Sequence, residues 1–215
     1  MCIYSLDMEI TTLWRDLSSQ ILQTSFLQWL GVSAGITQVM LSKNNKVSNY
    51  LFGIVSVVIT MIVLYEAKLY AEIALNGYYL VMSLYGWWYW TANKTVSQKP
   101  ISSCTQQDWV IVLGIVAVAF ATFYYFLTHL TDSDVPVWDA WVSATAWAGM
   151  WLLAKRKIEN WILLNISNLF AIPLLYHKGI LLYAILTSYL FIIAFLGYYN
   201  WKKLMNTKPK IEYAD

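Results

Sequence analysis

The sequence predicts an all-α integral membrane protein of seven transmembrane helices, arranged three plus one plus three as two parallel three-helix repeats around a central span. Three observations carry this prediction. Hydrophobic residues make up 59% of the chain, aromatic residues 17% and charged residues only 12%, far from the mix of a soluble domain. The apolar residues fall into seven runs separated by charged or turn-rich segments. Finally, Tyr78–Trp90 (YYLVMSLYGWWYW) has a cousin at Tyr189–Trp201 (YLFIIAFLGYYNW), and Lys46, Asn49, Tyr65, Tyr78, Gly86 and Trp90 recur as Lys157, Asn160, Tyr176, Tyr189, Gly197 and Trp201 at one offset of 111. About nine identities in about 45 ungapped positions, concentrated in Asn, Gly, Tyr and Trp, mark an internal duplication.

The runs taken in order are Ser25–Leu41, Asn49–Tyr65, Ala71–Trp90, Trp109–Leu127, Val137–Ala154, Asn160–Tyr176 and Ile180–Tyr199. A helix rising about 1.5 Å per residue needs roughly 20 apolar residues to cross about 30 Å of hydrocarbon. Several runs are shorter, and their Trp and Tyr ends let them extend into the headgroup layer. Tight polar connections, Ser42–Lys46 and Lys155–Lys157, separate neighbours. Ahead of the first run, Met1–Gln23 carries Asp7, Glu9, Arg15 and Asp16 and lacks an apolar core, so it reads as a surface helix and not as a cleaved signal.

Parity explains the odd span. Three spans end on the side opposite to their start, so two adjacent three-helix units would be inverted, whereas one extra span restores parallel orientation. Trp109–Leu127 has no counterpart at the offset and fills that role. The resulting division is 1–23 outside the membrane, 24–90 the first repeat, 91–131 the linker with the central span, 132–203 the second repeat, and 204–215 a cytoplasmic tail.

Charge orients the chain. Of its 14 Lys and Arg, all but Arg15, Lys68 and Lys178 fall on one side of this topology. Basic loops stay in the cytoplasm, which places the N-terminus outside and the C-terminus inside a bacterial cell (inner) membrane. The basic residues serve topology, and no nucleic-acid footprint is present.

Chemistry is excluded more than suggested. No metal or nucleophile motif occurs; His129 and His177 stand in outer loops without a partner at ligand spacing, and no cofactor is implied. The chain therefore reads as a non-enzyme. Glu66, Glu72, Asp139 and Glu159 all lie near span ends, whereas ion-driven pumps carry carboxylates inside the bilayer. Asp108 and Glu159 suit helix starts. Cys2 and Cys104 fall on opposite sides and do not form a disulfide.

Neutral polar and aromatic groups do line the spans. Trp161, Asn165 and Asn168 share one helical face at i, i+4 and i+7. A bare amide in hydrocarbon costs several kcal/mol, so each must meet a helix, water or a ligand. Interhelical glue is one reading; the aromatic on the same stripe favours a ligand. Asn76, Tyr79, Ser83 and Trp87 line a face of the third span, and Tyr183 and Thr187 one of the last. Asn165 and Asn168 correspond to Ile54 and Val57 in the first repeat. A symmetric scaffold with a one-sided lining suits an asymmetric ligand whose flat ring stacks on aromatic faces while amides read its polar edge. A positive ring would add about 0.5–2 kcal/mol of cation–π attraction.

Lys68–Glu72 (KLYAE), the Tyr78–Trp90 run, Lys157–Trp161 (KIENW), Pro173, Lys178-Gly179 and Gly197–Trp201 (GYYNW) together resemble the Pnu vitamin transporters over roughly Trp29 to Lys203. The resemblance implies a SWEET-like seven-helix fold, a homotrimer, and facilitated diffusion of a small vitamin substrate across the lipid bilayer. It further implies trapping of that vitamin by a cytoplasmic kinase that need not touch the transporter. Nicotinamide riboside is the first expectation, with thiamine or riboflavin as the alternative; a sugar carrier or a non-transporting membrane protein is remote. Members that carry nicotinamide riboside show Glu-Asn-Trp-x-x-Trp, whereas here Glu159-Asn160-Trp161 is followed by Leu164; Tyr183 replaces a usual Thr and Asn76 a common Gln.

Overall fold

The structure, a computed structural model, describes residues 2–66, 70–92 and 100–207, the side chains of 2–10, 70–72, 74 and 75 excepted. The readings placed on Cys2, Asp7, Glu9, Lys68, Glu72, Lys94, Lys99, Lys208 and Lys210 fall outside what is described. The described residues form eight α-helices: α1 Cys2–Gln23, α2 Phe26–Lys43, α3 Asn49–Glu66, α4 Tyr70–Thr91, α5 Gln106–Leu130, α6 Pro136–Ala154, α7 Asn160–His177 and α8 Leu181–Asn206. Among them α3, α5 and α8 are long and apolar enough by composition alone to cross a membrane.

Local chemistry sets the helix ends. Ser25 and Gln28 form a reciprocal capping box at the start of α2, and Thr105 and Asp108 do the same for α5, each satisfying two otherwise orphaned backbone donors. Pro136 opens α6 with its missing N–H at a position where none is needed. α2 and α6 stop at residues with left-handed backbone, Asn45 at φ 54° and Arg156 at φ 58°. Beyond each, the chain folds back so that Lys46 N–H reaches the Leu41 carbonyl and Lys157 N–H the Leu152 carbonyl, both at 2.9 Å. The α2 and α6 ends are thus the same motif twice, 111 residues apart.

The correspondence extends into the packing. Ser56 on α3 donates to the Gly31 carbonyl on α2 at 2.8 Å, and Ser167 on α7 donates to the Val142 carbonyl on α6 at 2.8 Å. Asn49 and Asn160, both fully buried, donate to the Lys46 and Lys157 carbonyls. Gly86 of α4 lies against the Tyr50 ring, and Gly197 of α8 against the Trp161 ring. All of these pairs keep the one offset.

Helix contacts close a ring: α2 on α3, α3 on α4, α4 on α6, α6 on α7, α7 on α8, and α8 back on α2. α5 packs outside on α6, and α1 on α8. Two seams join the halves, α4 with α6 and α2 with α8, and the matching tryptophans bond across them to acceptors one residue out of register. Trp90 Nε1 donates to the Ala154 carbonyl at 3.1 Å and Trp201 Nε1 to the Ser42 carbonyl at 2.9 Å. Side chains fill the ring at this lysine-rich end, where Tyr50, Trp90, Leu153, Ile158, Trp161, Ala194 and Trp201 form one core. The Trp90 and Trp201 rings meet across it at 6.0 Å.

The seams differ in side-chain chemistry. At α4·α6, Tyr78 stacks on Trp147 at 4.0 Å and bonds its carbonyl, Lys155 sits over the Tyr85 and Tyr89 rings, and the Arg156 guanidinium lies 4.0 Å from the Trp90 ring centre. At α2·α8 the further links are Asn200 Nδ2 to the Lys43 carbonyl at 2.7 Å and Tyr189 Oη to Met40 Sδ at 3.6 Å.

Candidate functional site

Trp161 and Asn165, one turn apart, border a cavity of about 380 Å³ between α7 and α8 whose other walls include Phe191, Ala194 and Tyr198. Trp161 is buried and held edge-on to Trp201, ring centres 5.7 Å apart. Gly197 admits the indole: a Cβ there would stand 2.7 Å from three of its ring carbons. The Trp161 Nε1 and Asn165 Oδ1 atoms are both buried and without a hydrogen-bond partner among the described residues. An unmet buried polar group costs about 1–3 kcal/mol, so the pair is a standing donor and acceptor beside a ring-sized space.

The other predicted residues distribute unequally. Ser83 on α4 is fully buried, and its hydroxyl has no partner among the described residues. The α4 and α7 backbones do not pack directly on each other among the described residues, so the Asn76, Tyr79, Ser83, Trp87 stripe lies on a helix that is not a neighbour of α7. Asn76 and Tyr79 are half-buried, whereas Trp87 is 42% exposed. Asn168 and Thr187 are half-buried, and neither lines the cavity with Trp161. Tyr183 lies elsewhere, in a second cavity of about 490 Å³ between α2, α3 and α8 with Gln28, Gln38, Ser56 and Thr60. That cavity was not anticipated from the sequence. A signal existed in the offset: Gln38 and Gly53 match Gly149 and Leu164, a reversal of large and small that only a three-dimensional pairing makes meaningful.

Leu164, where the nicotinamide riboside pattern has a second Trp, fills a notch in α6: its Cγ and Cδ2 lie where they would be 2.8 Å from a Cβ on Gly149. His129 and His177, expected in loops, lie in the last turns of α5 and α7. His177 Nε2 lies 3.0 Å from Asp134 Oδ2, and this bond holds the Asp134 carboxyl below the usual carboxylate range. Alongside, Lys178 pairs with Asp139 at 2.6 Å. These contacts stitch α6 to α7, and no cluster able to hold a metal occurs among the described residues.

Glu159, expected to act on the helix dipole, does not cap α7 by side chain; it accepts from Cys104 N–H at 2.9 Å. With the Ser102–Lys157 bridge and the Lys157–Asp108 ion pair at 2.9 Å, it clasps the inter-repeat linker to the start of α7. Burial, then the hydrogen bond and charge of Glu159, push the Cys104 thiol up to about 12.

The nicotinamide mononucleotide transporter family matches residues 25–203. The chain belongs to that family. It is a transporter family, and the chain is no enzyme. Among similar proteins, the nicotinamide riboside transporter PnuC of Escherichia coli (strain K12) is 24% identical over 207 residues, covering 82% of this chain and 85% of that protein. The nicotinamide riboside transporter PnuC of Neisseria mucosa is 27% identical over 194 residues, covering 84% and 73%. The crystal structure of the Vitamin B3 transporter PnuC is similar with a TM-score of 0.65 and 26% identity, over 91% of this chain and 89% of that one. An all-helical transporter fold, expected from the residues, is therefore found.

Proposed function

We propose that this chain takes up nicotinamide riboside across the bacterial inner membrane by facilitated diffusion, the vitamin being retained by cytoplasmic phosphorylation. The observation that carries the reading is the unpaired Asn165 Oδ1 beside Trp161 Nε1 at the α7–α8 cavity: a face for the pyridine ring and polar atoms for its carboxamide. The PnuC relatives bear a matching substrate in their names. The seven-span, SWEET-like three-plus-one-plus-three arrangement, the N-terminus outside and the C-terminus in the cytoplasm, and a homotrimer belong to the same proposal, supported by the contacts repeated at one offset and the one-sided placement of basic residues. Trp161, Asn165 and Asn168, with Asn76, Tyr79, Ser83, Trp87, Tyr183 and Thr187, form its binding path.

Uniport follows from the charges, since the acids of α5, α6 and α7 are engaged at helix starts and coupling requires a titrating or ion-binding group near the midplane. Purified protein in liposomes is expected to equilibrate labelled nicotinamide riboside at a rate indifferent to an imposed pH or sodium gradient at controlled voltage. Concentrative uptake driven by either ion would reject uniport. Because Leu164 departs from the nicotinamide riboside pattern, thiamine or riboflavin is the second reading, and a thermal-shift panel with nicotinamide riboside, thiamine and riboflavin decides between them.

A further inference from the structure

The cavity between α2, α3 and α8 carries chemistry that the α7 stripe does not use. Its polar lining, Gln28, Gln38, Ser56, Thr60 and Tyr183, bears no charge. Gln28 is committed to the α2 cap, accepting from Ser25 N–H at 2.7 Å. Ser56 spends its proton on the Gly31 carbonyl and Thr60 its own on the Ser56 carbonyl at 2.9 Å, so both hydroxyls are left as acceptors. Gln38 differs. Its amide lies flat on Gly53, where a Cβ would stand 3.0 Å from Cδ and Nε2, and among the described residues it makes no side-chain hydrogen bond.

The internal repeat supplies the comparison. At the positions matching Gln38 and Gly53 the second half has Gly149 and Leu164, and there the leucine closes the same notch from the opposite helix with apolar atoms. One half is sealed by hydrocarbon. The other projects an amide into open space, against the expectation that a polar group in a membrane interior finds a partner.

We propose that Gln38 is a substrate-contacting, specificity-determining residue that reads the ribose diol of the nucleoside in this cavity; this rests on nicotinamide riboside being the substrate. A primary amide offers an acceptor and two donors side by side, which match two adjacent hydroxyls. The Ser56 and Thr60 oxygens, limited to accepting, demand a ligand that donates, and hydroxyls do. An anion finds no cation here.

The test is calorimetric titration of the purified chain with nicotinamide riboside and with its 2′,3′-dideoxy analogue. Gln38→Met keeps side-chain volume while removing the amide, and Gly53→Ala displaces the amide while keeping it. Gln38→Met is expected to weaken riboside binding about tenfold, the worth of one net hydrogen bond, and to leave the dideoxy analogue unchanged, because the two deletions remove one interaction. Gly53→Ala should weaken the riboside in the same sense. Riboside affinity within twofold of the parent in Gln38→Met, or equal losses for both ligands, overturns the inference while leaving the substrate in place. A parent that binds thiamine and no riboside overturns the substrate reading, and the diol assignment with it.

Discussion

Trp161 stands edge-on to Trp201, ring centres 5.7 Å apart and planes at 89°. Trp161 borders the candidate cavity, while Trp201 holds the α2·α8 seam by donating to Ser42. A ligand that presses on the first ring therefore touches the group that keeps the two halves closed.

Trp201 is fully buried, so its replacement separates packing from hydrogen bonding. Trp201→Phe keeps a ring but loses the indole bond to the Ser42 carbonyl, which retains the Asn45 N–H, for about 0.5–1.5 kcal/mol. Trp201→Ala adds a cavity, for about 3–5 kcal/mol in all. Thermal unfolding in detergent should rank parent above Phe above Ala; a Phe variant as stable as the parent would show that the bond contributes nothing.

Gly197 gives a steric counterpart. Gly197→Ala places a methyl 2.7 Å from the Trp161 ring, overpacking worth about 1–3 kcal/mol. Gly86→Ala should behave alike through Tyr50. Gly114, where an added Cβ meets nothing within 4 Å, is the control: there Ala should be neutral or stabilise α5 by up to about 1 kcal/mol. Equal destabilisation at all three positions would refute the steric account.

The sequence exposed the helices well, because membrane spans announce themselves by apolar length. Expected Asn49–Tyr65 and Asn160–Tyr176 became α3 and α7 with one residue added to each. The largest miss is α8, which runs on to Asn206: apolar runs mark where hydrocarbon ends, whereas backbone bonding continues through Lys202 and Lys203, whose stems snorkel. The repeat was legible because Gly86 and Gly197 must accept a ring and Trp90 and Trp201 must bond across a seam. The site was half legible. Trp161 and Asn165 stand together, but facing stripes on α4 and α7 could not be read from periodicity, which fixes a face and not the neighbour it meets. Gln38 was hidden because its meaning lies in the glycine opposite.

Cys104 offers a chemical test of the linker clasp. With its thiol pushed up to about 12 by burial and by Glu159, the thiolate that reacts is scarce at neutral pH. In a Cys2→Ser background, maleimide labelling at pH 7 should be slow and should still be rising at pH 9. Glu159→Gln removes the neighbouring charge and should speed labelling. Equal rates with and without that carboxylate would remove Glu159 as a cause.

The acidic limit of this stitch between α6 and α7 follows from Asp134, whose carboxyl is held below its ordinary value by His177. A depressed folded pKa contributes stability above the unfolded value and loses it as pH falls through the folded one. Any contribution of this exposed pair is thus present at pH 5 and lost below about pH 4, the ordinary carboxylate range. His177→Gln should flatten the pH dependence of thermal stability below pH 5; an unchanged profile would assign the acid sensitivity elsewhere.

Asn165 separates a binding amide from a structural one. If it were glue between helices, Asn165→Leu would lower the stability of the empty protein. Its carbonyl oxygen is instead buried without a partner among the described residues, so the empty protein already bears the cost of desolvating it, and Leu, of similar volume, should leave stability unchanged or raise it. The ligand then loses its partner: affinity for nicotinamide riboside should fall about tenfold to a hundredfold, from about 1–3 kcal/mol. Asn168, on the same stripe but off the cavity, should cost less when changed the same way. Thermal unfolding without ligand and calorimetric titration with it supply the two readouts. Lower stability with affinity within twofold of the parent would make Asn165 a helix-packing residue and move the binding site away from the α7–α8 cavity.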